Sequence, residues 1–197
     1  MRSLQALILT LFFPIVGVAQ PETVLSDFYA VQANKHVVLK WVMTQGVTCF
    51  GIEIFRSDDS INYDPIGFIP GVCGSNSAEE AYSFADTAPV PNKKVYYKLS
   101  FGGLSSSEII AFEFISVNAE GYSILPEPAN RRTNILYLNP SNTRHDLTIF
   151  DMNGRSIGII SSNSNKISID YAHLPDGIYL FILTSEGKSV TGRLILY

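Results

Sequence analysis

The chain has 197 residues, of which 46% are hydrophobic and 16% charged, and its net charge is −4. That balance excludes a disordered chain, which could not be so rich in apolar residues. Residues 20–120 carry 6 Lys and Arg against 12 Asp and Glu, while residues 121–197 carry 7 against 6. Neither half supplies the basic face that phosphate neutralisation needs, so no nucleic-acid partner is expected, and the shift in balance favours two domains.

The first segment, MRSLQALILTLFFPIVGVAQ, has one charged side chain, an apolar run from Leu4 to Val18, and small residues at Gly17 and Ala19. It reads as a secretory signal peptide over residues 1–19, cut between Ala19 and Gln20. The run falls short of the roughly 20 residues that span a bilayer and is interrupted by Pro14. Gln20 stands where a lipoprotein would carry Cys. Export places the only two cysteines, Cys49 and Cys73, in an oxidising compartment, where an even count suggests a disulfide.

Residues 25–117 form short apolar runs separated by turn residues about every ten positions, the pattern of an antiparallel sandwich. The expected strands are 25–31, 36–43, 50–57, 63–69, 81–86, 94–101 and 108–117. Alternation puts Val37, Leu39 and Trp41 inward and Lys40 outward, and likewise Val95, Tyr97, Leu99 and Phe101 inward. It places Phe55, Tyr96 and Phe112 outward, where they could line a sugar- or protein-binding strip. Trp41, the Tyr97-x-Leu99-x-Phe101 run and the phrase IEIFRSDDSINYDPIGFI resemble the fibronectin type III and immunoglobulin-like modules of exported Bacteroidetes-type proteins. The resemblance implies a β-sandwich over residues 20–118.

A polar joint is expected at 119–125, followed by a second unit over 126–197 with strands at 134–138, 146–151, 156–160, 166–171, 177–183 and 190–197. Asn153-Gly154 reads as a two-residue hairpin turn, because both positions tolerate positive φ. In GIYLFIL, Ile178, Leu180 and Ile182 share one face and Tyr179, Phe181 and Leu183 the other; with both faces apolar, a central strand is expected. VTGRLILY should close the sheet at its edge.

The order of these pieces carries a second resemblance. Pro126-x-Pro128-Ala129, LTIFDMNGRSI, ISID, HLPDGIYLFIL and a closing basic and aliphatic strand resemble the C-terminal sorting domain of type IX secretion cargo. Leu125 and Glu127 stand where that family's opening motif has Tyr and Asn. The residues that match are Pro126, Pro128, Gly154, Arg155, Asp170, Leu174, Gly177, Tyr179 and Arg193. The resemblance implies passage through the periplasm, recognition by the outer-membrane type IX translocon and its sorting machinery, and attachment at the cell surface. It leaves open a surface polysaccharide or protein ligand for the first module.

Chemistry-bearing motifs are lacking. His36, His145 and His173 are isolated, no HExxH or G-x-S-x-G occurs, and no Gly-rich loop opens a helix. Asp58-x-Ser60-x-Asn62-x-Asp64 begins like a calcium loop, but Tyr63 and Ile69 occupy the positions needing Gly and Glu, so it reads as a polar hairpin tip. The expectation is an all-β exported protein that is not an enzyme and takes no metal or cofactor. The alternative is a surface adhesion or carbohydrate-binding protein that keeps both sandwiches.

Overall fold

The computed structural model describes residues 25–44, 50–71, 78–126, 129 and 132–196. Ala19, Gln20, Cys49, Cys73 and Pro128 lie outside the described residues. The described chain is built of antiparallel strands without a helix, as the alternating sequence implies.

Seven strands and one short extension surround a first core. β1 (Leu25–Ala33), β2 (His36–Met43) and β5 (Glu80–Asp86) make one antiparallel sheet in the order β1-β2-β5. Facing it, β3 (Ile52–Ser57), β4 (Asp64–Ile69) and β6 (Lys94–Phe101) pair in the order β4-β3-β6, and β6 also pairs with the short β7 (Ser105–Ser106) and with β8 (Ile110–Glu113). The period of two decides what fills the space between them. Val37, Leu39, Trp41 and Met43 of β2 meet Ile52 and Ile54 of β3 and Val95, Tyr97, Leu99 and Phe101 of β6 in one cluster. Trp41 is 1% exposed and Tyr97 fully buried, so both are core residues, as expected.

A second core lies between two more sheets. β9 (Tyr122–Leu125), β10 (Arg132–Tyr137) and β13 (Lys166–Asp170) pair in the order β13-β10-β9. β11 (His145–Phe150), β12 (Ser156–Ser162), β14 (Gly177–Ser185) and β15 (Lys188–Leu196) pair in the order β12-β11-β14-β15. Ile135, Leu147, Ile149, Ile167, Phe181, Leu183 and Leu194 fill the space between, with Tyr122 edge-on to Phe181 at 5.1 Å. The expected central and edge positions of β14 and β15 are both found.

Three local expectations are corrected. Tyr122–Leu125, expected within the joint, is a strand hydrogen-bonded to β10; four residues are too few to show a period, and the pairing is supplied by β10. Phe112 faces the first core and not solvent, because β8 pairs with β6 with Phe112 opposite the buried Val95. Its run, IIAFEFI, is apolar on both faces, so alternation alone could not orient it. The third concerns the turn expected at Asn153-Gly154, which is a loop of three residues, 152–154, in which Gly154 has a positive φ, +78°, and Asn153 does not.

Candidate functional site

Most of the residues singled out at the C-terminal end turn out to build the second sandwich, and each does so by an identifiable interaction. Asp151 to Arg155 joins β11 to β12 through a three-residue loop. Gly154 N–H donates to the Asp151 carbonyl at 3.0 Å and Asp151 N–H to the Arg155 carbonyl at 3.0 Å. The Asp151 carboxylate accepts from the N–H groups of Asn153 and Arg155, each at 2.9 Å. This is a type I turn followed by a left-handed residue, which explains why an acidic residue and a glycine stand three apart. The loop keeps the register of Phe150 opposite Ser156, and the register shift between Ile149 and Phe150 arises one step further on, where Ile157 is the extra residue of β12.

The loop from β13 to β14 follows the same logic. Asp170 accepts from the Ala172 N–H at 2.9 Å, and Leu174 N–H donates to the Tyr171 carbonyl at 2.8 Å, which folds Leu174 against the core. Tyr179, the third residue of β14, donates its hydroxyl back to the Pro175 carbonyl at 2.8 Å. Gly177 opens β14 opposite Leu196, and Asp170 also meets the Arg132 side chain at 3.3 Å on the exposed face. Pro126 ends β9 after a cis peptide bond from Leu125 and is exposed.

Two of these residues differ from the rest. Arg155 and Arg193 are exposed, and no acidic side chain pairs with either among the described residues. Arg193 lies on β15 opposite Leu180, on the outer face of the four-stranded sheet. That face is apolar. Ile159, Ile178 and Leu180 are exposed by 67%, 44% and 46%, beside the half-buried Phe150, Ile182 and Ile195. A groove of about 700 Å³ runs over it, bordered by Phe150, Gly154, Leu180, Ile182, Thr191 and Arg193. By contrast, the exposed part of the outer face of the β13-β10-β9 sheet is polar, with Arg132 beside Asp170 and Ser168 Oγ donating to Asn134 at 2.7 Å, while Leu136 on the same face is buried. The sequence held the signal for the apolar face in the two-sided hydrophobicity of GIYLFIL, which implied burial on both sides; one side is open.

In the first unit the polar clusters hold the fold. The buried Asp86 accepts from Arg56 Nη1 at 2.7 Å, from the Tyr97 hydroxyl at 2.8 Å and from the Ala88 N–H at 3.1 Å. Sequence reading missed this network because its members lie on three strands, far apart in the chain. Burial and the hydrogen bond to Asp86 push the Tyr97 hydroxyl well above its ordinary value. At the tip between β3 and β4, Asp59 accepts from the N–H groups of Ile61 and Asn62, both at 2.8 Å, and Asp58 pairs with Lys93 at 2.8 Å. Asp59 thus organises the hairpin and Asp58 ties it to Lys93, and no group of three metal-ligating side chains converges among the described residues. Of the outward aromatics, Phe55 is covered by the Lys98 ammonium, which also lies 4.2 Å from the centre of the Tyr63 ring. His145 stacks against Tyr137 at 4.3 Å between ring centres, with Nδ1 3.1 Å from the Thr143 carbonyl.

Residues 123–197 match the family described as the secretion system C-terminal sorting domain, a domain that marks proteins exported by type IX secretion to the cell surface or extracellular space. The match spans all of the strands of the second sandwich from Ser123 onward. Among solved structures, the chain is similar to a segment of two fibronectin type III domains from chicken tenascin, at 13% identity and a TM-score of 0.37 over 87% of this chain and 98% of that one. It is similar also to the human OSCAR ligand-binding domain, at 11% identity and a TM-score of 0.31 over 85% of this chain and 96% of that one. No curated protein matches it.

Proposed function

We propose that this exported protein is a non-enzymatic cargo whose C-terminal sandwich is the address read by the outer-membrane type IX translocon and its sorting machinery. The observation that carries the reading is the coincidence of the family match at 123–197 with a self-contained core running from Ile124 to Leu196. This unit closes its own core without side chains from residues 25–114, so it can be presented to the machinery as one folded body. In this account residues 1–19 are removed after Ala19, residues 20–118 form the delivered module, Cys49 and Cys73 bridge within it, and the protein is attached at the cell surface.

The polar residues of the first module support a delivered structural or binding role. Arg56, Asp86 and Tyr97 are engaged with one another, Asp59 with its own hairpin, and Asp58 with Lys93. The alternative, an adhesion or carbohydrate-binding protein that keeps both sandwiches, differs in one measurable quantity. Intact-mass analysis of the surface protein should find the first module without residues 126–197 if the address is removed after use. A full-length mature chain at the surface would favour the retained form.

A further inference from the structure

The strand β15 is the longest edge without a bulge among the described residues. Its nine residues pair with β14 in unbroken register on one side, and no described strand pairs on the other. The other edges are interrupted or shorter: β1 is bulged between Leu25 and Asp27, β4 contains Pro65 and a bulge, β12 is irregular where it pairs with Phe150, β5 is unbroken but two residues shorter, and β8, β9 and β13 have four, four and five residues. Natural proteins usually blunt such an edge, because its unpaired backbone groups template another strand.

The turn before β15 fixes which groups are free. Glu186 and Gly187, with φ of 47° and 78°, make a two-residue hairpin closed by Ser185 and Lys188. The closing pair of such a hairpin exchanges hydrogen bonds, and bonded and non-bonded pairs alternate from there. Ser189, Thr191, Arg193 and Ile195 therefore turn their N–H and C=O groups to the open edge. Their side chains share the outer face with Ile178, Leu180 and Ile182, beside the groove of about 700 Å³. Charge decides the occupant. Strand β15 carries Lys188 and Arg193 and no acidic residue, so a second copy of it offers Arg193 no carboxylate, whereas an acidic segment does.

We propose that the open edge of β15 accepts an extended segment of a partner protein as a fifth strand, with a carboxylate beside Arg193 and apolar side chains over the groove. This rests on the sorting reading only in placing the partner within the export machinery. The probe is a heptapeptide of alternating valine and glutamate, added to the purified full-length mature chain, with amide hydrogen exchange read residue by residue. Exchange at Ser189, Thr191, Arg193 and Ile195 should slow by about tenfold or more, as it does for amides that gain a hydrogen bond. The valine–lysine counterpart should leave it unchanged.

Thr191→Pro removes one edge N–H and should abolish the protection. Arg193→Glu keeps the edge and should transfer the preference to the lysine peptide. No protection, equal protection by both peptides, or protection confined to other strands would overturn the proposal. Its failure is separable from failure of the sorting reading. Loss of export on deleting residues 192–197, without peptide protection at this edge, overturns the edge proposal alone. Protection of the edge together with normal export of the deleted chain overturns the sorting reading alone.

Discussion

Replacing Asp86 with alanine tests whether the first core depends on a polar network that no motif announces. Asp86 is 5% exposed and accepts from Arg56, Tyr97 and the Ala88 N–H. Its loss falls unequally on these donors. Arg56 is 22% exposed and keeps its bond to the Ala88 carbonyl at 2.7 Å, so water can serve it and its share should be about 1 kcal/mol. The Tyr97 hydroxyl is fully buried and would be left without a partner, at a cost of about 1–3 kcal/mol. Asp86→Ala should therefore cost roughly 2–4 kcal/mol. Tyr97→Phe removes the hydroxyl itself and should cost only about 1 kcal/mol in the native background. In the Asp86→Ala background it should cost nothing or stabilise, because the orphaned group goes with it. Urea unfolding followed by fluorescence of Trp41, the only tryptophan and a residue of the same core, measures all four corners of this cycle. Equal cost of Tyr97→Phe in both backgrounds would refute the network.

Gly154→Ala should destabilise the second sandwich by about 1 kcal/mol and Gly154→Asn by less, since φ is +78° while a Cβ meets nothing within 4 Å; thermal unfolding by near-ultraviolet circular dichroism compares them, and equal midpoints for all three chains would contradict the turn assignment. Asp59 is held well below the ordinary carboxylate value by the N–H groups of Asn62 and Ile61; Asp146 is lowered by Ser161 and Arg144, and Asp170 by the Ala172 N–H. Depressed carboxylates stabilise the fold fully above their unfolded pKa and lose that contribution as pH falls below about 4, so the urea midpoint should hold from neutral to mildly acidic pH and drop below that; a midpoint rising on acidification would reverse the sign. Thiol labelling of the denatured, unreduced mature chain should find neither Cys49 nor Cys73 free, and two labels per chain would exclude the bridge.

The strand pattern was legible because period-two alternation is a local property. Val37, Leu39 and Trp41, or Val95, Tyr97 and Leu99, declare a face without reference to any partner strand. What escaped was set by pairing. Tyr122–Leu125 is a strand because β10 lies beside it, and Phe112 turns inward because Val95 is opposite it. At the C-terminal end the string of residues was readable, but their division of labour was not. Asp151, Gly154, Asp170, Leu174 and Tyr179 shape turns and the core, whereas Arg155 and Arg193 remain exposed without acidic partners among the described residues. That distinction needs hydrogen-bond partners, which sequence spacing does not contain.

The central claim is that the second sandwich is an address and not merely a stabilising partner of the first. Deleting Gly192 to Tyr197 removes more than half of β15 and with it Leu194 and Leu196 from the second core, while touching none of the residues that form the first. Cell fractionation of the deletion strain, with limited proteolysis of the retained material, reads both outcomes at once. The account predicts a chain held in the periplasm with a protease-resistant first module of residues 20–118. Delivery of the shortened chain to the cell surface at the normal level would contradict it.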